Sequence, residues 1–243
     1  MAQLDRWATG SSTVRSRAEV DEGLRSYMLG VYNYMSGGIA LTGLVSYLTY
    51  QLAVSNPAIA QALYGSALKY VIMLAPLAFV FYLSFRVYQM SVSSAQMAFW
   101  AFAAVMGLSL SSIFMVFTGQ SITQVFFVTA AAFAGLSLYG HTTSKDLSGF
   151  GSFLIMGLIG IILAALVNIF LQSSALMFAV NVVGVLIFAG LTAYDTQQIK
   201  DNYYMMRGDS VALAKGAIMG ALNLYLDFIN MFTSLLSLLG NRE

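Results

Sequence analysis

Residues 216–240 read GAIMGALNLYLDFINMFTSLLSLLG. The run is long and apolar enough to cross a bilayer, which takes roughly 20 residues. Yet it carries a carboxylate, Asp227, near its middle. Asn223, Asp227, Asn230, Ser234 and Ser237 recur at spacings of 4, 3, 4 and 3, and Gly216 and Gly220 extend the series. At 3.6 residues per turn these positions share one face of a helix. Tyr225, Phe228, Phe232, Leu236 and Leu239 fall on the opposite face. A polar seam avoids lipid, so this helix is expected to be packed among others and surrounded by them. A second carboxylate, Asp195, closes the hydrophobic run Ala179–Tyr194. A charge at membrane depth costs at least a few kcal/mol, so it faces a bundle interior and marks an ion or proton path, or a reaction.

The rest of the chain supports a membrane reading. Hydrophobic residues make up 59% of 243 positions and charged residues 9%, against about 25% charged in a soluble domain. No Asp, Glu, Lys or Arg occurs in 26–68, 87–144 or 147–194. Spans are predicted at Met28–Leu52, Ala67–Arg86, Ala95–Phe117, Ile122–Tyr139, Phe150–Leu171, Leu176–Gln197 and Ala217–Leu239. The expected fold is therefore an all-α integral membrane protein with seven transmembrane helices over 27–243, and the lipid bilayer is its first partner. Residues 1–26 hold four acidic and four basic residues and read as a soluble N-terminal tail. Asp5, Glu19, Asp21 and Glu22 break any signal-peptide pattern. The absence of cysteine removes disulfides, thiol nucleophiles and thiolate metal sites. A net charge of +1 gives no sign of nucleic acid.

Basic residues orient the chain. With the N-terminus in the cytoplasm, the inner segments and span ends carry Arg6, Arg15, Arg17, Arg25, Arg86, Lys145, Lys200, Arg207 and Lys215, and the outer ends only Lys69 and Arg242. This is a positive-inside distribution. Seven crossings then put the C-terminus outside. Spans two and six run the same way, so Arg86 and Asp195 end at the same cytoplasmic level.

Taken singly, the polar residues have ordinary readings. Asn223, Asn230 and the serines suit interhelical hydrogen bonds, and Asn168 a helix contact. Arg86 suits a snorkelling helix end. Asp195 stands five residues before Lys200 and suits an interfacial position. His141 reads as a loop residue. Asp227 is the exception, since an amide would serve structure without the charge. Catalytic patterns fail. No Gly-x-Ser-x-Gly occurs, and an aspartyl intramembrane protease shares only Tyr194-Asp195. The second site here is Tyr225-Leu226-Asp227, not Gly-x-Gly-Asp, and no Pro-Ala-Leu follows it. The protein is not expected to be an enzyme, and no catalytic residue or cofactor is expected.

Four stretches together resemble the Bax inhibitor-1 (transmembrane Bax inhibitor motif) family in a bacterial member: Ser84–Ser91, Tyr139–Ser148, Ala193–Gln197 and Ala221–Asn230. The resemblance covers nearly everything after about residue 25. It implies a seven-helix fold with the C-terminal helix central and wrapped by the other six. It also implies a pH-sensitive calcium leak, in a bacterial inner (cell) membrane, through that bundle. In that picture Asp195 and Asp227 share a proton near the cytoplasmic mouth, and Arg86 latches onto Asp195. The chemistry is coherent, because two carboxylates close together in a low dielectric cannot both ionise cheaply. Calcium takes six to eight oxygen ligands. Asp195 and Asp227, with Asn223 and Asn230 of the pore seam and carbonyls, make a weak transit site at most, which a leak requires. The alternative is a regulatory membrane partner of a membrane-anchored AAA protease, without ion transport, docked through the tail.

The orientation is directly testable. In a chain without cysteine, Ser174→Cys and Asn241→Cys are expected to react with a membrane-impermeant maleimide from outside, and Ser12→Cys only after permeabilisation. Protection of Asn241→Cys in intact cells would mean an even number of crossings.

Overall fold

A computed structural model gives the fold; its backbone is described for residues 2–242 and its side chains for residues 20–242. The elements are α1 (Ala2–Ser55), the short α2 (Pro57–Ala60), α3 (Leu68–Arg86), α4 (Val92–Leu110), α5 (Gly119–Thr142), α6 (Ser148–Leu171), α7 (Ser174–Met206) and α8 (Ser210–Leu239). All but α2 contain a stretch long and apolar enough to cross a membrane, so the protein has the seven spans expected. Helices follow from the solvent: hydrocarbon offers no hydrogen bonds, so each span must satisfy its own backbone. Among the described residues the sole β-type pairing is an isolated bridge between Phe117 and Arg242.

The helices overrun the apolar stretches that announce them. α1 begins at Ala2, so the expected tail continues into the first span as one helix. The side chains of Arg6, Arg15 and Arg17 lie outside the described residues. α3 continues through the buried Pro76. α7 continues past Gln197 to Met206. α8 starts at Ser210, seven residues before the expected Ala217, because Asp209 caps it. The Asp209 carboxylate accepts the N–H groups of Val211 and Ala212 at 2.8 and 3.0 Å, two of the donors that a helix start leaves unpaired. Asn168 also caps. Its Oδ1 accepts the Ser173 N–H at 3.0 Å, in the turn where Gln172 takes the left-handed conformation (φ 48°). The expected helix contact is thus a turn contact.

Hydrogen bonds define two ends. At one, Lys200 Nζ donates to the His141 carbonyl at 2.9 Å, Lys215 Nζ to the Tyr88 carbonyl at 2.9 Å, and the Tyr203 hydroxyl to the Val20 carbonyl at 3.4 Å. At the other, Thr118 N–H donates to the Asn241 carbonyl at 3.1 Å and Asn241 N–H to Ser121 Oγ at 2.9 Å. Val20 and Asn241 therefore lie at opposite ends, as an odd number of crossings demands.

α8 is the most buried span. Half of its most apolar stretch is buried, against 11–28% in the other six. It packs on α1, α4, α5 and α7, whereas α3 lies on α4 and α6 on α7. Four helices, not six, form its main surroundings. The reason is geometric: with α3 held against α4, one side of α8 is left open.

The cap gives a stability prediction. Asp209→Ala is expected to destabilise the protein by about 1 kcal/mol, read as a lower melting temperature in detergent. Asp209→Ser should restore most of it.

Candidate functional site

α7 and α8 form the most extensive helix pair, and small residues let them approach. A methyl group placed on Gly184 would stand 3.0 Å from Ser234 Oγ, and one on Gly220 would stand 2.9 Å from Ile199. The helices are antiparallel, and residue numbers at these facing positions total 418 and 419. That register sets Asp195 level with Leu224, and Asp227 level with Thr192. The two carboxyl-bearing positions are about one turn, ~5 Å, apart along the axis.

Asp227 is 4% exposed, and its Oδ2 has no hydrogen-bond partner among the described residues. Asp195 is half-buried and stands across the same interface, about one turn from the level of Asp227. The nearby hydroxyls do not help. Thr192 and Thr196 are buried and donate to the Phe188 and Thr192 carbonyls of their own helix, at 2.8 and 2.7 Å. Each has one proton to give, so neither carboxylate receives it. An ionised carboxylate without partners in a low-dielectric interior is costly, and a second one beside it adds repulsion. Such a site suits a proton or a cation. Among the described residues no three His, Cys, Asp or Glu side chains group as a metal site.

The seam itself turns out differently from the expectation. Of its five polar residues Asp227 alone is buried; Asn223 and Ser237 are exposed, and Asn230 and Ser234 half-buried. Asn230 Nδ2 donates to the Leu226 carbonyl of its own helix at 2.8 Å. The aromatic face is the inner one. Tyr225 is fully buried, edge-on to Phe99 and Phe102 with centroids 6.3 and 5.3 Å away. Phe228 meets Phe126 and Phe133 at 5.6 and 5.7 Å. Thr42 Oγ1 donates to the Ala103 carbonyl at 2.8 Å, so the 2.6 Å contact must have the Tyr225 hydroxyl donating to Thr42. Three aromatic rings, Tyr225, Phe228 and Phe232, turn inward because edge-on ring contacts and the Tyr225–Thr42 bond supply the packing and hydrogen bonding that hold helices together in lipid. Asp227 sits at the edge of the seam nearest α7 and is covered there.

Arg86 is exposed and donates from Nη1 to Gln89 Oε1 at 3.2 Å. The bond from Lys215 to Tyr88 holds the end of α3 beside the start of α8. Lys215 is nine residues, ~13 Å, from Leu224 at the level of Asp195. The Arg86–Asp195 pairing that the resemblance implies is not made in this structure. His141, expected in a loop, occupies the last turn of α5, and its Nδ1 is buried with no partner among the described residues.

Several residues around the site escape a reading by residue type. Gln197 clamps the α5–α6 connection to α7: its Nε2 donates to the Lys145 carbonyl, and its Oε1 accepts the Leu147 N–H, both at 2.8 Å. Tyr32, Ser137 and Thr196 form a one-way chain. Thr196 spends its proton on Thr192, so Ser137 donates to Thr196 at 3.0 Å and Tyr32 donates to Ser137 at 2.7 Å. In sequence, Thr196 and Gln197 directly follow Asp195 within Ala193–Gln197, and Lys145 and Leu147 lie within Tyr139–Ser148, but nothing there marks the bonds they make. Gly140 lets α5 meet α7 backbone to backbone, since a Cβ there would overlap the Ala193 carbonyl.

Comparison with known proteins settles the kinship. The family model described as "Inhibitor of apoptosis-promoting Bax1" matches residues 24–243. The chain belongs to the Bax inhibitor-1 family. It is 46% identical over 239 residues to an uncharacterized protein of Caulobacter vibrioides, covering 94% of each chain. It is 45% identical over 242 residues to the inner membrane protein YbhL of Escherichia coli, covering 99% of this chain and 100% of that one. Uncharacterized protein RP147 of Rickettsia prowazekii is 44% identical over 240 residues, 99% of each chain. All four stretches that carried the resemblance lie inside the matched region.

Gly140 offers a test of how α5 positions the Asp195 segment. Gly140→Ala is expected to cost about 1–3 kcal/mol through overpacking, because the colliding atoms are backbone and cannot rotate away. Gly135→Ala, five residues earlier, where a Cβ meets nothing within 4 Å, should melt like the parent.

Proposed function

We propose that this protein is a pH-sensitive cation leak, with calcium as the cation, in which Asp195 and Asp227 form the site that alternates between proton and cation. The reading puts the chain in the inner (cell) membrane, as the name of its Escherichia coli relative suggests, with the N-terminus cytoplasmic and the C-terminus outside. The observation that carries it is the buried, unpartnered Oδ2 of Asp227 facing α7 one turn from Asp195. A purely structural residue there would be an amide or an alcohol. With two carboxylates and few other ligands the site binds weakly, as conduction requires. Asn223 and Asn230, on the open edge of α8, would offer carbonyl oxygens on the approach. We assign no catalytic role and no resident cofactor.

Arg86 would be the latch. Moving the end of α3 along the open edge of α8 by two to three turns would bring the guanidinium to Asp195. The resulting charge-assisted bond would cover that edge while Asp195 is ionised. Protonating Asp195 removes the anion and frees Arg86, so acid opens the path.

A regulatory membrane partner of a membrane-anchored protease is the second reading. It draws on α1, whose 54 residues make ~80 Å of helix, far more than the ~30 Å hydrocarbon core. The part beyond the bilayer is a natural docking element.

Reconstitution into vesicles loaded with a calcium dye separates the two. The parent is expected to leak faster on the acid side of neutrality. Asp227→Asn should fold and lose that pH dependence, and Arg86→Ala should leak on the alkaline side, where the parent is tight. A parent without flux, or an Asp227→Asn variant with unchanged flux and pH response, would remove the ion-path reading and favour the protease partner.

A further inference from the structure

A large cavity lies away from the carboxylates. It is a groove of about 990 Å³ between α1 and α5, floored by Phe228 of α8, at the top of the ~300–1,000 Å³ range of ligand sites. The two helices make almost no direct backbone approach along it. Small side chains make the room: Ser36, Ala40 and Gly43 on α1 face Ala130 and Ala134 on α5. A Cβ on Gly43 would meet nothing within 4 Å. A strut keeps the helices at this spacing, the Tyr32 hydroxyl donating to Ser137 at 2.7 Å, with Ser137 bonded in turn to Thr196 of α7.

The groove is chemically two-ended. Among the described residues its charged side chains, Asp21 and Arg25, stand one turn apart on α1, and His141 on α5 closes the same end. The remaining walls are apolar apart from Tyr32, Ser36 and Ser137. On α5 the lining runs from Phe126 to His141 and on α1 from Asp21 to Leu44, ~22 and ~34 Å of helix. The two walls face each other over the shorter length, which fits a chain entering from the charged end.

We propose that this groove binds one phospholipid with a zwitterionic, primary-ammonium headgroup of the phosphoethanolamine class, its acyl chain lying between α1 and α5. Arg25 takes the phosphate with a forked, charge-assisted contact. Asp21, whose Cβ lies ~5–6 Å from that of Arg25 at this helical spacing, accepts from the ammonium. His141 flanks the phosphate. A fatty acid or a phosphatidylglycerol would bring only negative charge and leave Asp21 facing it. A choline headgroup has no N–H to give Asp21, and among the described residues the groove end has no aromatic cage for it. This assignment does not depend on ion transport.

The test is native mass spectrometry of the full-length protein, purified in detergent and offered equimolar phosphatidylethanolamine, phosphatidylglycerol and phosphatidylcholine. One phosphatidylethanolamine is expected to stay bound at activation energies that strip the others. Gly43→Leu, which fills the groove, and Arg25→Gln, on an exposed position, should each reduce that retained lipid about tenfold with melting temperatures unchanged. Asp21→Asn should abolish the preference for ethanolamine over glycerol while keeping a lipid bound. Equal retention of the three lipids by the parent, or unchanged retention in both Gly43→Leu and Arg25→Gln, would overturn the proposal and leave ordinary annular lipid. A co-purified peptide in place of lipid would overturn it in favour of a protein partner.

Discussion

The close approach of α7 to α8 is the constraint on which the site depends. Gly184 and Gly220 remove the side chains that would hold the helices apart, and Gly140 does the same for α5 against α7. In a bilayer, helices gain little from the hydrophobic effect against one another, so association rests on such contacts and on hydrogen bonds. Once the backbones are this near, the position of Asp227 follows. It lies at the α7-facing edge of its helix and is covered, with one oxygen unpaired. Asp195 is placed beside it by the same register. Neither residue needs to be aimed by a hydrogen bond, and the threonines between them keep their protons within their own helix.

The polar groups around this interface divide into two kinds. Tyr225 with Thr42, and Tyr32 with Ser137 and Thr196, are fully used in one-way donations that end on backbone carbonyls. Gln197 spends both ends of its amide on the α5–α6 connection. These residues fix helix spacing. Asp227 and His141 are the exceptions, each with a buried atom that has no partner among the described residues. Unpaired buried polar atoms are rare in folded proteins and call for a functional account. One lies at the carboxylate pair and the other belongs to a residue at the charged end of the α1–α5 groove.

The open side of α8 connects these features. Because α3 packs on α4 and not on α8, Asn223, Asn230 and Ser237 line an uncovered edge. The same arrangement leaves Arg86 in solvent, bonded to Gln89 of the following turn. α3, like α6, is only 11% buried over its span, so apart from its packing on α4 and the Lys215–Tyr88 bond it has few contacts to hold it. The opposite side of the bundle differs, since there the Tyr32 strut sets the distance between α1 and α5.

The sequence by itself determined the spans, the odd number of crossings, the clustering of Lys200, Lys215 and Arg86 at one end, the kinship, and the choice of Asp227 as the residue without an ordinary explanation. These depend on local composition and on intrahelical periodicity, which a single chain displays directly. Only the tertiary structure decided which face of α8 is inside. Periodicity placed Asn223 and Asp227 on one face and Tyr225 and Phe228 on the other, but both faces cannot be assigned without knowing where α1, α4, α5 and α7 lie. Burying the aromatic rings won. The partner of Arg86, the capping role of Asn168, the Gln197 clamp and the α1–α5 groove were hidden for the same physical reason. Each is set by the distance and register between helices far apart in the chain, and that distance is fixed by close contacts at glycines such as Gly140 and Gly184, which no local pattern singles out.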